Sequence, residues 1–307
     1  MSLSSRKNDA YFLPILCAVA AILIALTWHR WGDVVVDCGK DLIAAARVAG
    51  GEVLYRDIQY NYGPLSPYLR AFLFTVLGAN IGAAVIAGVA SLISAVVLCY
   101  LLARRFLPGA CSFFFAFSFL LICALPQYDG AGGYNFMIPY AAPAVDGFNL
   151  SMLSLLFLSR YIESGSGPHL AAGSILTTLL FLTKMEFAAA SFAAWIFAVV
   201  LSGRGIMPVV SFSALSILPA TAVYSLFALA AGIENLLFKN VFPVHIATTL
   251  NFLFPKLLMG TADPSLSFEA AVKSLAIFSA AAATGFLTAS SRPFLLVPAA
   301  AVFAAIF

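Results

Sequence analysis

Charge is scarce in this chain: 9% of its 307 residues are charged and 63% are hydrophobic. Soluble domains are about a quarter charged, so water on all sides is excluded, and a mean hydropathy of +1.01 points to hydrocarbon as the surrounding medium. Positive charge barely exceeds negative, with 16 Lys and Arg against 13 Asp and Glu. The net charge of +3 is dispersed, and no basic tract interleaved with aromatics occurs, which argues against a nucleic-acid surface. Histidine is limited to His29, His169 and His245, which have no ligand spacing, and the five cysteines have no metal spacing either. Cys17, Cys99, Cys111 and Cys123 stand in apolar runs, where a thiol usually acts as a small core residue, and Cys38 alone implies no disulfide. A divalent metal held through the acids stays open, with nothing specific to imply one. Solenoid repeats and low-complexity linkers are also missing, the densest Gly and Ser punctuation being the short stretch 164–168.

What remains is a series of long apolar runs. In hydrocarbon every backbone amide must be bonded within its own segment, so runs of roughly 20 apolar residues read as spanning helices, and their continuity excludes the alternation of a barrel. The expected fold is all-α: one polytopic integral membrane domain over 1–307. Apolar runs at 11–28, 81–103, 110–125, 147–162, 170–183, 187–201, 206–231, 270–289 and 294–307 give about nine transmembrane helices. The first resembles a secretory signal, but its cleavage-like Ala18-Val19-Ala20 falls inside the run, so an uncleaved span is expected. The last stops at Phe307 without a polar tail, as in a chain that continues further.

Short loops rich in Lys and Arg favour the cytoplasmic side. With the N-terminus inside, Arg104 and Arg105, then Arg160, Arg204 and Arg292 all fall inside, provided that 65–77 does not cross. Thirteen residues reach roughly 20 Å, short of a 30 Å core. The expectation is an interfacial helix with Arg70 toward water and its Phe and Leu side chains toward lipid, and a second such helix over 40–49, ended by Gly50-Gly51. The large polar loops then lie on the outer face, at 29–80, 126–146, the Lys184 corner and 232–269.

Within this apolar chain, 33–77 is an island. It holds Asp33, Asp37, Asp41, Glu52 and Asp57, four tyrosines (Tyr55, Tyr60, Tyr62, Tyr68), and turn signals at Gly50-Gly51 and Gly63-Pro64. Asp37 follows the triplet Val34–Val36, so its carboxylate is expected at headgroup level. There it either serves as a general base for an acceptor hydroxyl or N-caps the helix that follows. Asp33 and Asp41 are weaker candidates. Arg56, between Tyr55 and Asp57, either binds phosphate through its planar fork or pairs with Asp57 to hold the loop. Tyr60 and Tyr62 either stack on a sugar ring or anchor the loop at the interface.

Asp37-Cys38-Gly39-Lys40-Asp41, the stretch from Gly51 through Tyr55-Arg56-Asp57, and Tyr60-Asn61-Tyr62-Gly63-Pro64-Leu65-Ser66-Pro67 together resemble the first outer loop of C-type glycosyltransferases. These polytopic enzymes include the protein O-mannosyltransferases and the lipid A aminoarabinose transferases. The resemblance implies that Asp37 is the catalytic base and that interfacial helices follow it. It also implies a sugar on a polyprenyl phosphate as donor and a lipid, glycan or protein as acceptor, with membrane lipids as surroundings and no nucleic-acid partner. Bacterial relatives often read Asp-Phe-Gly-Arg-Glu here, so this chain departs at Cys38, Lys40 and Asp41 while keeping the charge signs.

Two further stretches extend the resemblance, which covers roughly residues 10–205. Thr183-Lys184-Met185-Glu186 is similar to a Thr-Lys motif of bacterial members, with Lys184 expected to meet the donor phosphate and Glu186 to orient it. A snorkelling lysine in a tight corner is the plainer alternative. Tyr134 to Tyr140, with Asp146 just before a span, is similar to the second outer loop, where many members carry another acid. Asp146 is equally readable as a helix cap.

The expected function is sugar transfer on the extracytoplasmic face of a cell membrane by a multi-pass enzyme. The alternative is a transporter or flippase, whose ionisable residues would sit inside spans near the midplane. A noncatalytic scaffold would leave the acids and tyrosines of 33–68 without a role.

Overall fold

The structure is a computed structural model that describes residues 11–27, 38–125 and 135–237. Among them the secondary structure is helical, with no strand beyond an isolated bridge between Leu54 and Ile58. The spans expected over 270–289 and 294–307 lie outside the described residues, as do Asp33 and Asp37.

The helices are α1 (Phe12–Leu26), α2 (Gly39–Ala49), α3 (Leu65–Leu77), α4 (Ile81–Ala103), α5 (Gly109–Ser118), α6 (Ala142–Ser164), α7 (Gly167–Phe181), α8 (Met185–Leu201) and α9 (Ile206–Ala231). α4, α6 and α9, of 23, 23 and 26 residues, are long and apolar enough to cross a membrane. At 1.5 Å per residue they reach roughly 34–39 Å, which covers a 30 Å hydrocarbon core. The other apolar helices have 10–17 residues. α3 follows the expected bounds and is too short to cross by itself.

Local chemistry sets the boundaries. Gly78 closes α3 at φ +82°, a backbone region that an L side chain rarely adopts. Two residues later the Asn80 side chain accepts the Ala83 amide at 2.9 Å and caps α4. Pro143 and Pro168 stand in the first turns of α6 and α7, where a missing N–H removes no helical bond. α5 departs from the expected uniform helix: past Ser118 it widens into a π-helical turn over Phe119–Ala124. There Phe119 stacks on Phe148 of α6 at 5.2 Å, so the wider turn seats an aromatic pair.

Packing divides into four cores, one of which gathers Ala45, Phe74, Ala83 and Ala84 from α2, α3 and α4. Of the others, one joins α1, α4, α5 and α6 around Leu16, Leu92, Leu120, Phe136 and Val145. A second joins α6, α7, α8 and α9 around Tyr161, Trp195, Val199 and Phe212. In that bundle the Trp195 indole donates to Ser154 at 2.9 Å, and Ser154 and Ser191 share a hydrogen bond at 3.0 Å, so buried hydroxyls join helices that apolar contact alone would leave free to slide. The third core lies under the 51–62 loop, where Leu54, Tyr55, Ile58 and Tyr60 pack on Ala231, with Tyr224 and Phe227 beside them. It holds the island against the far end of α9.

Candidate functional site

α2 begins at Gly39, and the capping position is held by Cys38, which makes no side-chain cap bond. The Cys38 thiol instead donates to the Ile138 carbonyl at 3.2 Å. Asp37, the expected base, therefore directly precedes a described, buried anchor, although it lies itself outside the described residues.

Behind that anchor Asp41 of α2, Arg70 of α3 and Asp146 of α6 come together. Asp41, 5% exposed on α2, accepts the Tyr60 hydroxyl through Oδ1 at 2.9 Å and the Ala142 amide through Oδ2 at 2.6 Å. Ala142 is the first residue of α6, so the Asp41 carboxylate caps that helix from another segment and faces the positive end of its dipole. Burial pushes the Asp41 carboxyl above its ordinary value. The Ala142 amide, the Tyr60 hydroxyl, Arg70 and Lys40 pull the other way without cancelling it. Arg70 of α3 grips Asp146 of α6 with both prongs, at 2.6 and 3.2 Å. A small cavity of about 20 Å³ touches Cys38, Asp41 and Arg70.

Two expectations are corrected by this cluster. Arg70 does not face water: its side chain is 10% exposed, because a guanidinium in an apolar helix is stable only with its charge paired. Nor does Asp146 precede a span or cap one. α6 begins at Ala142, with Ala141 at the capping position, which leaves Asp146 inside the helix and free to meet Arg70.

A second group stands around Tyr62. Gly63 donates its amide to the Thr183 carbonyl at 2.9 Å, and Leu65 donates to the Leu182 carbonyl at 2.8 Å, so the loop runs directly along the α7–α8 corner. A Cβ on Gly63 would lie 2.2 Å from the Leu182 oxygen, and only glycine permits this approach. The seam places the Lys184 ammonium 5.6 Å from the Tyr62 ring centroid, with Lys40 converging on the same ring at 5.2 Å. Lys40 also lies 5.7 Å from the Tyr60 ring. Glu186 approaches Lys184 at 3.8 Å, a loose contact from a side chain that is 73% exposed.

Of the sequence candidates, then, Lys184, Glu186 and Tyr62 are brought together, with Tyr60 bridging from Tyr62 to Asp41. Asp146 belongs to the buried cluster. Arg56 takes the loop-holding alternative: its fork is engaged by Asp57 at 2.9 and 2.7 Å. Asp57 also accepts the Val53 amide at 2.8 Å, and Arg47 pairs with Glu52, so these four charges fasten the loop to itself. The Arg56 guanidinium, followed by the Val53 amide, holds the Asp57 carboxyl down at about 2.

Sequence reasoning passed over Lys40 as a ring-facing cation and ranked Asp41 low. A signal for Arg70 and Asp146 was available: Arg70 is the one charge of α3 and Asp146 the one charge in the first half of α6, and such groups among apolar residues need a partner. Among the described residues no three His, Cys, Asp or Glu side chains gather closely enough to hold a metal ion. Set against known protein families, curated proteins and solved structures, the chain matches none of them.

Proposed function

We propose that this chain is a multi-pass membrane glycosyltransferase of about nine spans. It moves a sugar from a polyprenyl-phosphate donor to an acceptor on the extracytoplasmic side. The observation that carries the reading is the convergence of Lys184 and Lys40, the second residue of α2, on the Tyr62 ring, next to the buried Asp41. In the reaction an acceptor hydroxyl attacks the anomeric carbon while Asp37 takes its proton. The carbon–oxygen bond to phosphate breaks, and its electron pair leaves with the lipid phosphate, which gains one negative charge. Cations placed at that phosphate favour the transition state over the bound donor, because the charge they meet is growing.

Arg56 is less suited than Lys184 to the phosphate role, since Asp57 already engages it. Asp146 and Glu186 act by holding cations, and Tyr60 and Tyr62 by presenting ring faces. The transporter reading has one observation in its favour, the buried Arg70–Asp146 pair between apolar helices. That pair joins a 13-residue helix to the first turns of α6, near a helix end rather than a midplane.

The test is sugar transfer in membranes matched for protein level. Asn caps about as well as Asp but takes no proton near neutral pH, so Asp37→Asn should lower transfer roughly a hundredfold or more. Asp33→Asn and Asp41→Asn are measured alongside. Normal transfer in Asp37→Asn with loss in either neighbour would assign the base to another acid. Full activity in all three would remove the base from this loop.

A further inference from the structure

α9 is one helix by its bounds and two by its packing. Before Pro219, Val209 and Phe212 lie in the core of Trp195 and Val199, with Phe212 stacked 5.1 Å from the Trp195 ring. After it, Tyr224, Phe227, Ala228 and Ala231 lie in the core under the 51–62 loop instead. Pro219 has no N–H for the Leu215 carbonyl, so the helical ladder is interrupted between the two halves, and sharp helix bends concentrate at such breaks. A neighbouring helix fills the gap. The Thr178 hydroxyl of α7 donates to the Leu215 carbonyl at 3.1 Å and to the Ser216 carbonyl at 3.0 Å, one hydrogen divided between two acceptors. The Ser216 hydroxyl, fully buried beside them, has no hydrogen-bond partner among the described residues. An arrangement with unmet bonds is easier to leave than one in which every bond is made.

The stretch past the break is lightly held. Between Ala220 and Ala231 no residue of α9 is buried, and few buried contacts mean low local stability. Val223 and Phe227 instead border an open apolar groove of about 250 Å³, whose other walls include Pro64, Leu65 and Leu182. Those walls are joined to each other by the Gly63–Thr183 and Leu65–Leu182 backbone bonds. α9 is fastened beside them by the Tyr224 hydroxyl, which donates at 2.9 Å to the carbonyl of Phe181, the residue before Leu182. We propose that residues 220–231 form a hinged arm that pivots at Pro219, with the Thr178 hydroxyl as its pin and Tyr224 as the latch that sets the width of the groove. The present state is the latched one. In the released state the arm moves away from the seam as a helix, because its ladder beyond the break is its own, while the half before Pro219 stays with Trp195. The arm then gives up the Phe227 ring contacts with Tyr55 and Tyr68, so the released state is the minor one. This motion does not depend on the transfer reading above.

The experiment measures distances by pulsed electron resonance on the full chain in phosphatidylcholine nanodiscs. Ketoxime spin labels on p-acetylphenylalanine leave the native cysteines in place, including the buried Cys38. One pair of labels joins Leu229 on the arm to Phe72 on α3, and a reference pair joins Met207, before the break, to Phe72; all three positions are exposed. The arm pair should show a main distance and a longer minor one, and the reference pair a single distance. Tyr224→Phe, which removes only the latch hydroxyl, should raise the longer population roughly threefold or more and leave the reference pair unchanged. Pro219→Ala restores the amide to Leu215, so adding it to Tyr224→Phe should return the arm pair to one distance. Where Pro219→Ala fails to fold, Thr178→Val is read in its place. It takes the pin away and should raise the longer population with the reference pair still fixed. No change in Tyr224→Phe would overturn the latch. A shift of both pairs together would mean that α9 tilts as one rod, and a longer population that survives Pro219→Ala, or ignores Thr178→Val, would remove the pivot from Pro219.

Discussion

Arg70 and Asp146, 76 residues apart, form a two-pronged ion pair that ties α3 to α6 from within the apolar interior. A buried charge that loses its partner is costly. Arg70→Ala or Asp146→Ala should therefore destabilise the protein by roughly 3–5 kcal/mol. The double replacement Arg70→Met with Asp146→Leu should recover most of that loss, because an apolar pair of similar volume removes both desolvation costs. Thermal unfolding in detergent of the two single variants and the double provides the check. Additive losses would mean that the two side chains do not act as a pair.

Asp41 is expected to be structural. Both of its oxygens are engaged, one by Tyr60 and one by the first amide of α6. Asp41→Ala should cost roughly 1–3 kcal/mol for the Ala142 amide it abandons, and Asp41→Asn should cost less, since an amide oxygen still accepts that bond. In transfer assays matched for protein level, Asp41→Asn should behave as wild type. A large loss would place Asp41 in the chemistry.

Gly63 is the position where one methyl group should cost most. Gly63→Ala puts a carbon 2.2 Å from the Leu182 oxygen and must open the seam. The expected result is at least a tenfold loss of sugar transfer at matched protein level, with helix content retained by circular dichroism. Normal transfer would show that the close approach of loop and corner does not position Tyr62 and Lys184.

The loop clasp should respond to acid. Asp57 titrates at about 2 in the folded loop, below the ordinary 3.8, chiefly through Arg56. A depressed carboxyl contributes stability above its unfolded value and loses it as pH falls through the folded one. Protection of the amides of residues 52–58 from hydrogen exchange, taken relative to their intrinsic rates at each pH, should therefore be high above about pH 4 and should fall between about pH 4 and 2. Asp57→Asn should exchange fast throughout. A flat profile in the wild type would remove Asp57 from the clasp.

Topology has a direct check. Reporter fusions at Ser202 and Ser290 should report cytoplasm, and fusions at Gly130 and Gly260 the outer side. A spanning α3 would invert them.

Helix positions were legible wherever an apolar run ended on strong punctuation. α3, α4 and α9 follow the expected bounds, stopped by Gly78, started by Asn80 and started at Gly205. α6 was misjudged at its start because Ala142 to Val145 is apolar but opens after a polar loop, and the helix takes them in beyond Asp146. The burial of Arg70 escaped because a 13-residue amphipathic pattern reads the same whether its cation meets water or a distant carboxylate. Of the candidate site, the acids, tyrosines and Lys184 were visible as an island and a corner. Their grouping was not, since it depends on Gly63 meeting the Leu182 carbonyl, a contact between segments more than a hundred residues apart.

That contact also governs traffic. With no side chain between Gly63 and the Leu182 carbonyl, and two backbone bonds across the seam, residues 63–65 and 182–183 behave as a single rigid block. No ligand can thread between them, and no opening motion can hinge there without breaking both bonds. Tyr62 and Lys184 are mounted on this block, so the ring and the ammonium keep their spacing however α3 tilts against the helices behind it.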